Sequence, residues 1–287
     1  MFLAQATFGK LPANMDADEV ADKLDGYFGM LQKNGQICGD TLHTVSSGNV
    51  VAFASLVRPD AMLRTHHSRY AIVELDVLCE LFGKPPNWEI LTDHVPTEFP
   101  DLFNSSALCL FSSLVDGLSP ICCMDTDERL PLYMIPIDDD VRERLYFWSR
   151  EYNRMDGIWM SSGELEIPAY EQIATACSML AKEGRKLAAQ VESALNIPVY
   201  YFITRYYGRG KNDSKRCCPE CGKDWRYEIA TSKSHFLNLP FRCSECRLVS
   251  QSANADYDDS HAQIGEFPAS PPGGATGQCD DRGTFDS

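Results

Sequence analysis

The chain lacks most of the signatures that would assign it at sight. No apolar run approaches the roughly 20 residues that a membrane-spanning helix needs, so no helical span is expected. The opening residues, Met1-Phe-Leu-Ala-Gln5, have neither a basic stretch nor an apolar core of signal-peptide length. A soluble, cytoplasmic protein is the expectation. There is no Gly-x-Gly-x-x-Gly, no P-loop, no Gly-x-Ser-x-Gly and no His-Glu-x-x-His, which removes the usual anchors for dinucleotide, nucleotide, acyl-transfer and metalloprotease chemistry. No internal repeat and no βαβαβ rhythm runs through the sequence. Basic residues are also scarce: 26 Lys and Arg face 41 Asp and Glu, a formal charge of −15. A field of that sign repels polyanions.

Two cysteine pairs stand out among the 12 cysteines. Cys218-Pro-Glu-Cys221 and Cys243-Ser-Glu-Cys246 each have the two-residue spacing that lets a tight turn aim both sulfurs at one metal ion. The stretch between them is long enough for a short β-hairpin that brings the pairs together. Four thiolates make a closed tetrahedral site, so one structural Zn2+ is expected rather than one that activates water. A redox-active Cys-x-x-Cys needs only one pair, at a helix start in a thioredoxin-like unit. Here a second pair waits downstream, and Gly222 and Trp225 follow the first. Cys217 precedes Cys218 and could compete for the metal, but the proline and glycine of the knuckle frame Cys218 and Cys221. The remaining cysteines show no second ligand pattern, and several lie in apolar runs such as Ala107-Leu-Cys-Leu-Phe111, where a thiol acts as a small hydrophobe. Free cysteines without a leader agree with a reducing cytosol.

The charge is unevenly spread. Residues 1–204 carry 15 basic and 29 acidic side chains, residues 205–250 carry 10 and 5, and residues 251–287 carry 1 and 7. A basic ribbon thus sits between an acidic body and an acidic tail.

Periodicity fills in the body. Residues 1–9 read as a strand. Asp16 and Asp18 precede a helical stripe of Val20, Leu24, Phe28 and Leu31. Residues 41–57 read as a hairpin about Ser46-Ser-Gly-Asn49. Residues 68–82 suit a helix stopped by Gly83 and Pro85-Pro86, and short strands are expected at 88–91, 107–111 and 130–135. Asp138-Asp-Asp140 opens a helix with Val141, Leu145, Trp148 and Tyr152 on one face. A further helix from about Pro168 to Leu195 places Ile173, Cys177, Leu180, Gly184, Leu187 and Val191 on one stripe. Residues 197–207 read as a strand and 208–214 as a linker. The expectation is an α+β fold with a mainly antiparallel sheet and packed helices, followed by a C-terminal zinc-ribbon hairpin module. The divisions are an acidic α+β domain over 1–207, the ribbon over 208–251, and an acidic tail over 252–287 too poor in apolar residues to order itself.

The run Ile197-Pro-Val-Tyr-Tyr-Phe202, then Arg205-Tyr-Tyr-Gly208, the knuckle Cys218-Pro-x-Cys221-Gly222-x-x-Trp225, and Phe241-Arg-Cys-x-x-Cys246-Arg-Leu-Val-Ser250 resemble a bacterial family. It comprises uncharacterised zinc-ribbon proteins for which nucleic-acid binding has been suggested. The resemblance covers about residues 197–250. It implies Cys218, Cys221, Cys243 and Cys246 as zinc ligands, in agreement with their spacing.

Two functional readings compete. Arg205, Arg209, Lys211, Lys215, Arg216, Lys223, Arg226, Arg242 and Arg247, interleaved with Tyr206, Tyr207 and Trp225, form a candidate nucleic-acid surface, since phosphate attraction plus stacking holds single strands. The same side chains could instead complement the acidic body in cis, with the aromatics packed. The acidic body could hold a basic protein partner, as an inhibitor or immunity protein does. Asp125, Asp127, Glu128, Asp138, Asp139 and Asp140 are candidate acidic contacts, although three acids at a helix start also answer the helix dipole and residues 125–128 suit a solvated turn. The pair His66-His67, near Glu74 and Asp76, fits a loop or cap role. The resulting expectation is a non-enzymatic interaction protein with a basic protein partner, a nucleic-acid or transcription-accessory role as the alternative, an enzyme with an unrecognised site behind that, and no membrane partner.

Overall fold

The structure is a computed structural model that describes residues 1–13, 15–92, 104–113, 119–227, 239–257 and 259–268. The chain divides into two compact units. One comprises residues 1–101, 117–119 and 130–147, and the other residues 102–116, 120–129 and 148–287. Sequence suggested a single domain over 1–207. The expected mixed α+β class, with an antiparallel sheet, packed helices and C-terminal strands around four cysteines, is what the structure has.

The first unit runs β1 (Phe2–Lys10), α1 (Ala17–Lys33), β2 (Ile37–Ser46), β3 (Asn49–Leu56), α2 (Arg69–Phe82) and β4 (Asn87–Ile90). Its four strands lie in the order β2-β3-β1-β4, every pair antiparallel. Two interleaved β-α-β crossings of this kind make the split βαβ, or ferredoxin-like, arrangement. Local chemistry explains each element. Asp16 and Glu19 form a reciprocal capping box at the start of α1, which satisfies two backbone donors left free by the first turn. Ser68 caps α2, and Gly83, at φ +71°, ends it in the left-handed region that glycine enters without a Cβ penalty. In the β2–β3 hairpin Ser47 and Gly48 both have positive φ, as a two-residue turn matching the strand twist requires. Alternate residues Ala4, Ala6 and Phe8 of β1 are buried against Leu24, Phe28 and Leu31 of α1 and Leu75 and Leu78 of α2, so both helices cover one face of the sheet.

A polar network is also buried in this unit. Tyr27 Oη and His67 Nε2 are 2.9 Å apart, and Asn34 Nδ2 donates to Gln36 Oε1 at 2.6 Å. Gln36 in turn donates to the Ala61 carbonyl. The Arg142 guanidinium donates to Asn34 Oδ1 at 3.0 Å and to the Leu132, Ile135 and Ile137 carbonyls. Residues 130–135, expected as a strand, instead hold a 3-10 turn at Leu132–Met134. Pro131 and Pro136 lack the amide hydrogens of a strand ladder, and the freed carbonyls are the ones Arg142 takes.

The second unit contains β5 (Leu108–Leu110), β6 (Ile121–Cys123), the part of α3 (Asp139–Met160) from Trp148 onward, α4 (Glu166–Ala174), α5 (Met179–Leu195), β7 (Val199–Ile203), β8 (Tyr207–Gly208), β9 (Phe241–Cys243), β10 (Leu248–Ser250), β11 (Ala255–Asp256) and α6 (Asp259–Ala262). Its main sheet has the order β6-β5-β7-β10-β9. The outer pairs are antiparallel, while β5–β7 and β7–β10 are parallel. The central strand β7 is buried at all five positions, which its unbroken run Val-Tyr-Tyr-Phe-Ile allows.

The single helix expected from Pro168 to Leu195 is two helices. The chain leaves α4 at Thr175, and the Ser178 hydroxyl accepts from the Ala181 amide to start α5. The apolar stripe survives the break, with Ile173, Cys177, Leu180, Leu187 and Val191 all buried. Gly184 is required on it, because a Cβ there would overlap the Tyr201 ring and crowd Trp148. Residues 208–214, expected as a linker, form β8 and a 3-10 turn at Gly210–Lys215. The tail expected to be disordered from 252 has structure over its described residues: β11 pairs in parallel with β8, and α6 follows. The remainder of that expectation, residues 269–287, lies outside the described residues.

Candidate metal centre

The four paired cysteines converge. The Sγ atoms of Cys218, Cys221, Cys243 and Cys246 all lie within 4.8 Å of one another, and those of Cys221 and Cys243 are 3.8 Å apart. Four sulfurs about 2.3 Å from one tetrahedral ion are separated by about 3.8 Å, so the donor set has the size of a metal site. Cys217 is exposed and outside the cluster, which Cys218 joins at this knuckle. Among the described residues this is the one group of three or more metal-ligating side chains.

The two knuckles repeat one backbone design. In the first, the Cys218 amide donates to the Lys223 carbonyl and the Gly222 amide to the Cys218 carbonyl, both at 2.9 Å, with Gly222 at φ +68°. In the second, Arg247 stands where Gly222 stands, one residue past the pair, at φ +53°. A non-glycine side chain in that region costs roughly 1–2 kcal/mol. Arg247 is held there by Glu192, whose carboxylate accepts from its Nε and Nη2 at 3.0 and 2.9 Å. Trp225 is buried beside the first knuckle, donates Nε1–H to the Arg216 carbonyl at 3.0 Å and lies 5.5 Å from Phe241.

Burial pushes the Cys218 thiol up to about 12 and raises Cys246 as well. Burial acts upward on Cys221 too, but hydrogen bonds from the Lys223 amide and the three other thiols outweigh it and leave Cys221 below the usual thiol value. A metal ion bound by these four sulfurs would displace their protons, so its binding would be coupled to proton release.

The nine basic residues of the candidate nucleic-acid surface meet different fates. Arg205 is 1% exposed, bonded to Asp213 at 3.1 Å, Glu266 at 2.9 Å and the Ile264 carbonyl at 2.8 Å. Arg209 is held by Glu266. Arg216 is buried against the Phe241 ring at 3.9 Å and donates to Ser250 and Gln251. Lys223 pairs with Glu245, and Arg247 with Glu192. Arg242 lies over the Tyr200 and Tyr227 rings and Arg226 over Phe241. Lys211 and Lys215 are exposed. Of the aromatics, Tyr207 and Trp225 are buried.

The six candidate acidic contacts are divided between the units. Asp139 accepts from the Arg69 amide and pairs with Arg142, while Asp140 binds Arg69 and the Tyr70 hydroxyl at 2.7 Å. Asp138 precedes them as the residue before α3. In the other unit, Asp125 accepts from the Ser106 amide and hydroxyl, Asp127 is a positive-φ turn residue, and Glu128 bonds to Thr126. Residues 125–128 thus form a turn, and Asp139 and Asp140 are engaged with Arg142, Arg69 and Tyr70. His67 belongs to the buried network and His66 packs on Tyr133, in line with a structural role for that pair. The acids that hold the ribbon's arginines, Glu192, Asp213 and Glu266, were not foreseen, because they lie 8 to 61 residues from their partners.

Fold and site together define a mixed α+β protein with a four-cysteine centre built into one edge of its second sheet. Two domain families match: Domain of unknown function (DUF2310) over residues 103–204 and Domain of unknown function (DUF8594) over residues 208–256; the second contains all four cysteines. Two proteins of Haemophilus influenzae, each described as an uncharacterized protein, are 32% and 31% identical over 143 residues, or 49% of this chain. The matches span 53% and 68% of those relatives, so the chain covers about half the length of one and two thirds of the other. The chain belongs to the family of these bacterial proteins. No solved structure matches it, and no helix among its described residues is long and apolar enough to cross a membrane.

Proposed function

We propose that this chain is a non-enzymatic, zinc-stabilised interaction protein whose partner is a basic protein, held at an acidic surface of the first unit. Zn2+ is the ion that a closed set of four thiolates suits, and with no open position it acts as a structural clamp. One observation carries the reading of the partner. The ribbon's cations are largely bound within the chain, whereas Asp18 and Asp22 on α1 are exposed and have no ion pair among the described residues. With Asp25 they are spaced four and three apart, on one side of the helix. The first unit carries 18 acidic and 9 basic side chains by sequence, a net −9 of the chain's −15. That field steers a cationic partner. The contact surface in this proposal is therefore α1 rather than residues 125–128, which form a turn, or Asp139 and Asp140, which are paired with Arg142 and Arg69.

The nucleic-acid alternative retains Lys211, Lys215, Arg226 and Arg242, the four cations with no ion pair among the described residues. Each phosphate contact on a single strand contributes about 0.7 to the slope of log K against log salt. Four contacts give a slope of about 3, and all nine would give about 6. The test is fluorescence anisotropy of the zinc-loaded full chain against a labelled Lys/Arg-rich peptide and against single-stranded and duplex DNA and RNA, each with a salt series. The expected result is saturable peptide binding that Asp18→Lys with Asp22→Lys abolishes, and no nucleic-acid binding at physiological salt. Nucleic-acid binding with a slope near 6, or peptide binding indifferent to both substitutions, overturns the proposal.

A further inference from the structure

A cavity of about 620 Å3 opens in the second unit between α5, β7 and the second knuckle. Small-molecule sites run from about 300 to 1,000 Å3, so the space is of that kind. Its lining is cationic, in a chain that is acidic as a whole. Arg185, Lys186 and Arg247 border it, and Glu192 is the one carboxylate among the lining residues. Glu192 already holds Arg247, and Glu220, from outside the lining, pairs with Arg185 at 3.0 Å. Three cations thus meet two carboxylates, and Lys186 is exposed with no ion pair among the described residues. The floor is apolar, made by the buried residues Ala188, Val199 and Tyr201.

Tyr201 supplies a second observation. It is 1% exposed, and its hydroxyl has no hydrogen-bond partner among the described residues. The ring lies against Gly184, one residue before Arg185, and edge-on to Trp148. The phenol therefore sits at the turn of α5 that borders the cavity. Burial pushes its pKa far above the ordinary range, so it keeps its proton and stands as a donor. Buried polar groups in native proteins are nearly always paired, and an unpaired donor beside a cavity suits an acceptor brought by a ligand.

We infer that this cavity binds a small organic anion, an apolar body carrying a carboxylate or phosphate group. The anionic group lies between the Arg185 guanidinium and the Tyr201 hydroxyl, with Lys186 at the rim, and the body covers Ala188 and Val199. A planar guanidinium matches the oxygens of either group, and the phenol donates one more hydrogen bond. An inorganic ion would leave most of the space and the apolar floor unfilled. The site lies in the other unit from the acidic α1 surface proposed above, and it stands or falls independently of that surface.

Titration of the zinc-loaded full chain with benzoate, phenyl phosphate, inorganic phosphate and phenol, followed at the backbone amides by NMR, tests this. Benzoate or phenyl phosphate should saturate at millimolar concentration or below, with shifts confined to α5, β7 and the second knuckle. The tighter of the two identifies the anionic group. Inorganic phosphate, which lacks the body, and phenol, which lacks the charge, should bind more weakly than either. Tyr201→Phe should keep its Tm, because no internal hydrogen bond is lost, yet raise the dissociation constant by about tenfold or more, as loss of a hydrogen bond to a charged group does. Arg185→Gln should raise it at least as much, and Lys211→Gln, away from the cavity, should leave it unchanged. The inference is overturned if neither aromatic anion binds saturably, if the shifts centre elsewhere, or if both cavity variants bind as the parent does. A Tm several degrees lower in Tyr201→Phe also overturns it, since the hydroxyl would then have its partner inside the protein.

Discussion

Asp213→Asn tests whether the basic ribbon is committed internally. The side chains of Arg205 and Arg216 are 2% and 4% exposed, and the Asp213 carboxylate lies between them, 3.1 Å from one Nε and 3.7 Å from the other. Its second oxygen accepts from the Ala253 amide at 3.0 Å, which ties the segment after β10 to the 3-10 turn. Burial, and then the neighbouring Arg205, hold the Arg216 pKa below its ordinary value, so this guanidinium depends on a nearby anion. Removing one partner of a buried ion pair costs about 3–5 kcal/mol, because the other charge remains buried. Arg205 keeps Glu266, which favours the lower figure, about 3 kcal/mol. For a chain of this size each kcal/mol lowers Tm by about 2–4 °C, so a fall of about 6–12 °C is expected in a thermal scan of the zinc-loaded protein. Glu245→Gln is the matched control. It removes a shorter ion pair, to Lys223 at 2.6 Å, but one that is more than half exposed on both sides, and it should cost under about 1 kcal/mol. If Asp213→Asn costs no more than Glu245→Gln, the arginines are not held by buried pairing, and the argument that removes them from nucleic-acid binding fails.

Two further outcomes follow from the site and the buried network. Elemental analysis should find one zinc per chain, retained in Cys217→Ser and lost in Cys218→Ser, and apparent zinc affinity should rise with pH because bound thiol protons must leave. His67 is buried and its pKa is lowered, chiefly by desolvation; its imidazole is neutral in the fold, so the unfolded chain takes up a proton below about pH 6.5 that the folded chain refuses. Stability should therefore fall as pH drops from about 6.5 toward the lowered value, with denaturant midpoints of His67→Gln less dependent on pH over that window.

What could be read from the sequence was what is local. The cap of α1, its apolar stripe, the Ser47-Gly48 hairpin and the knuckle spacing each depend on residues within one or two turns of one another. The break between α4 and α5 left little trace, because the four residues Thr175 to Ser178 advance the chain by about one turn and keep the stripe in phase. Ser178 was its one local signal. The split βαβ order of the first unit depends on which strands pair, and that information is spread over 90 residues. The second knuckle hid its left-handed position under an arginine, where the first announced it with glycine.

The most consequential difference concerns what the four cysteines join. Sequence placed the ribbon after a linker, as a module beside the body. In the structure Leu248, Val249 and Ser250 of β10 pair in parallel with Tyr201, Phe202 and Ile203 of β7, while β9, which ends in Cys243, pairs on the other side of β10. Two of the four cysteines, Cys243 and Cys246, therefore bracket the turn that joins these strands. The other two clamp that turn to the segment carrying Trp225, whose carbonyl accepts from the Arg242 amide at 2.7 Å. Loss of the ion would loosen an edge of the main sheet next to its central, fully buried strand. A metal bound in that position would stabilise the second unit, the same end that the buried arginines and the pairing of β10 with β7 serve.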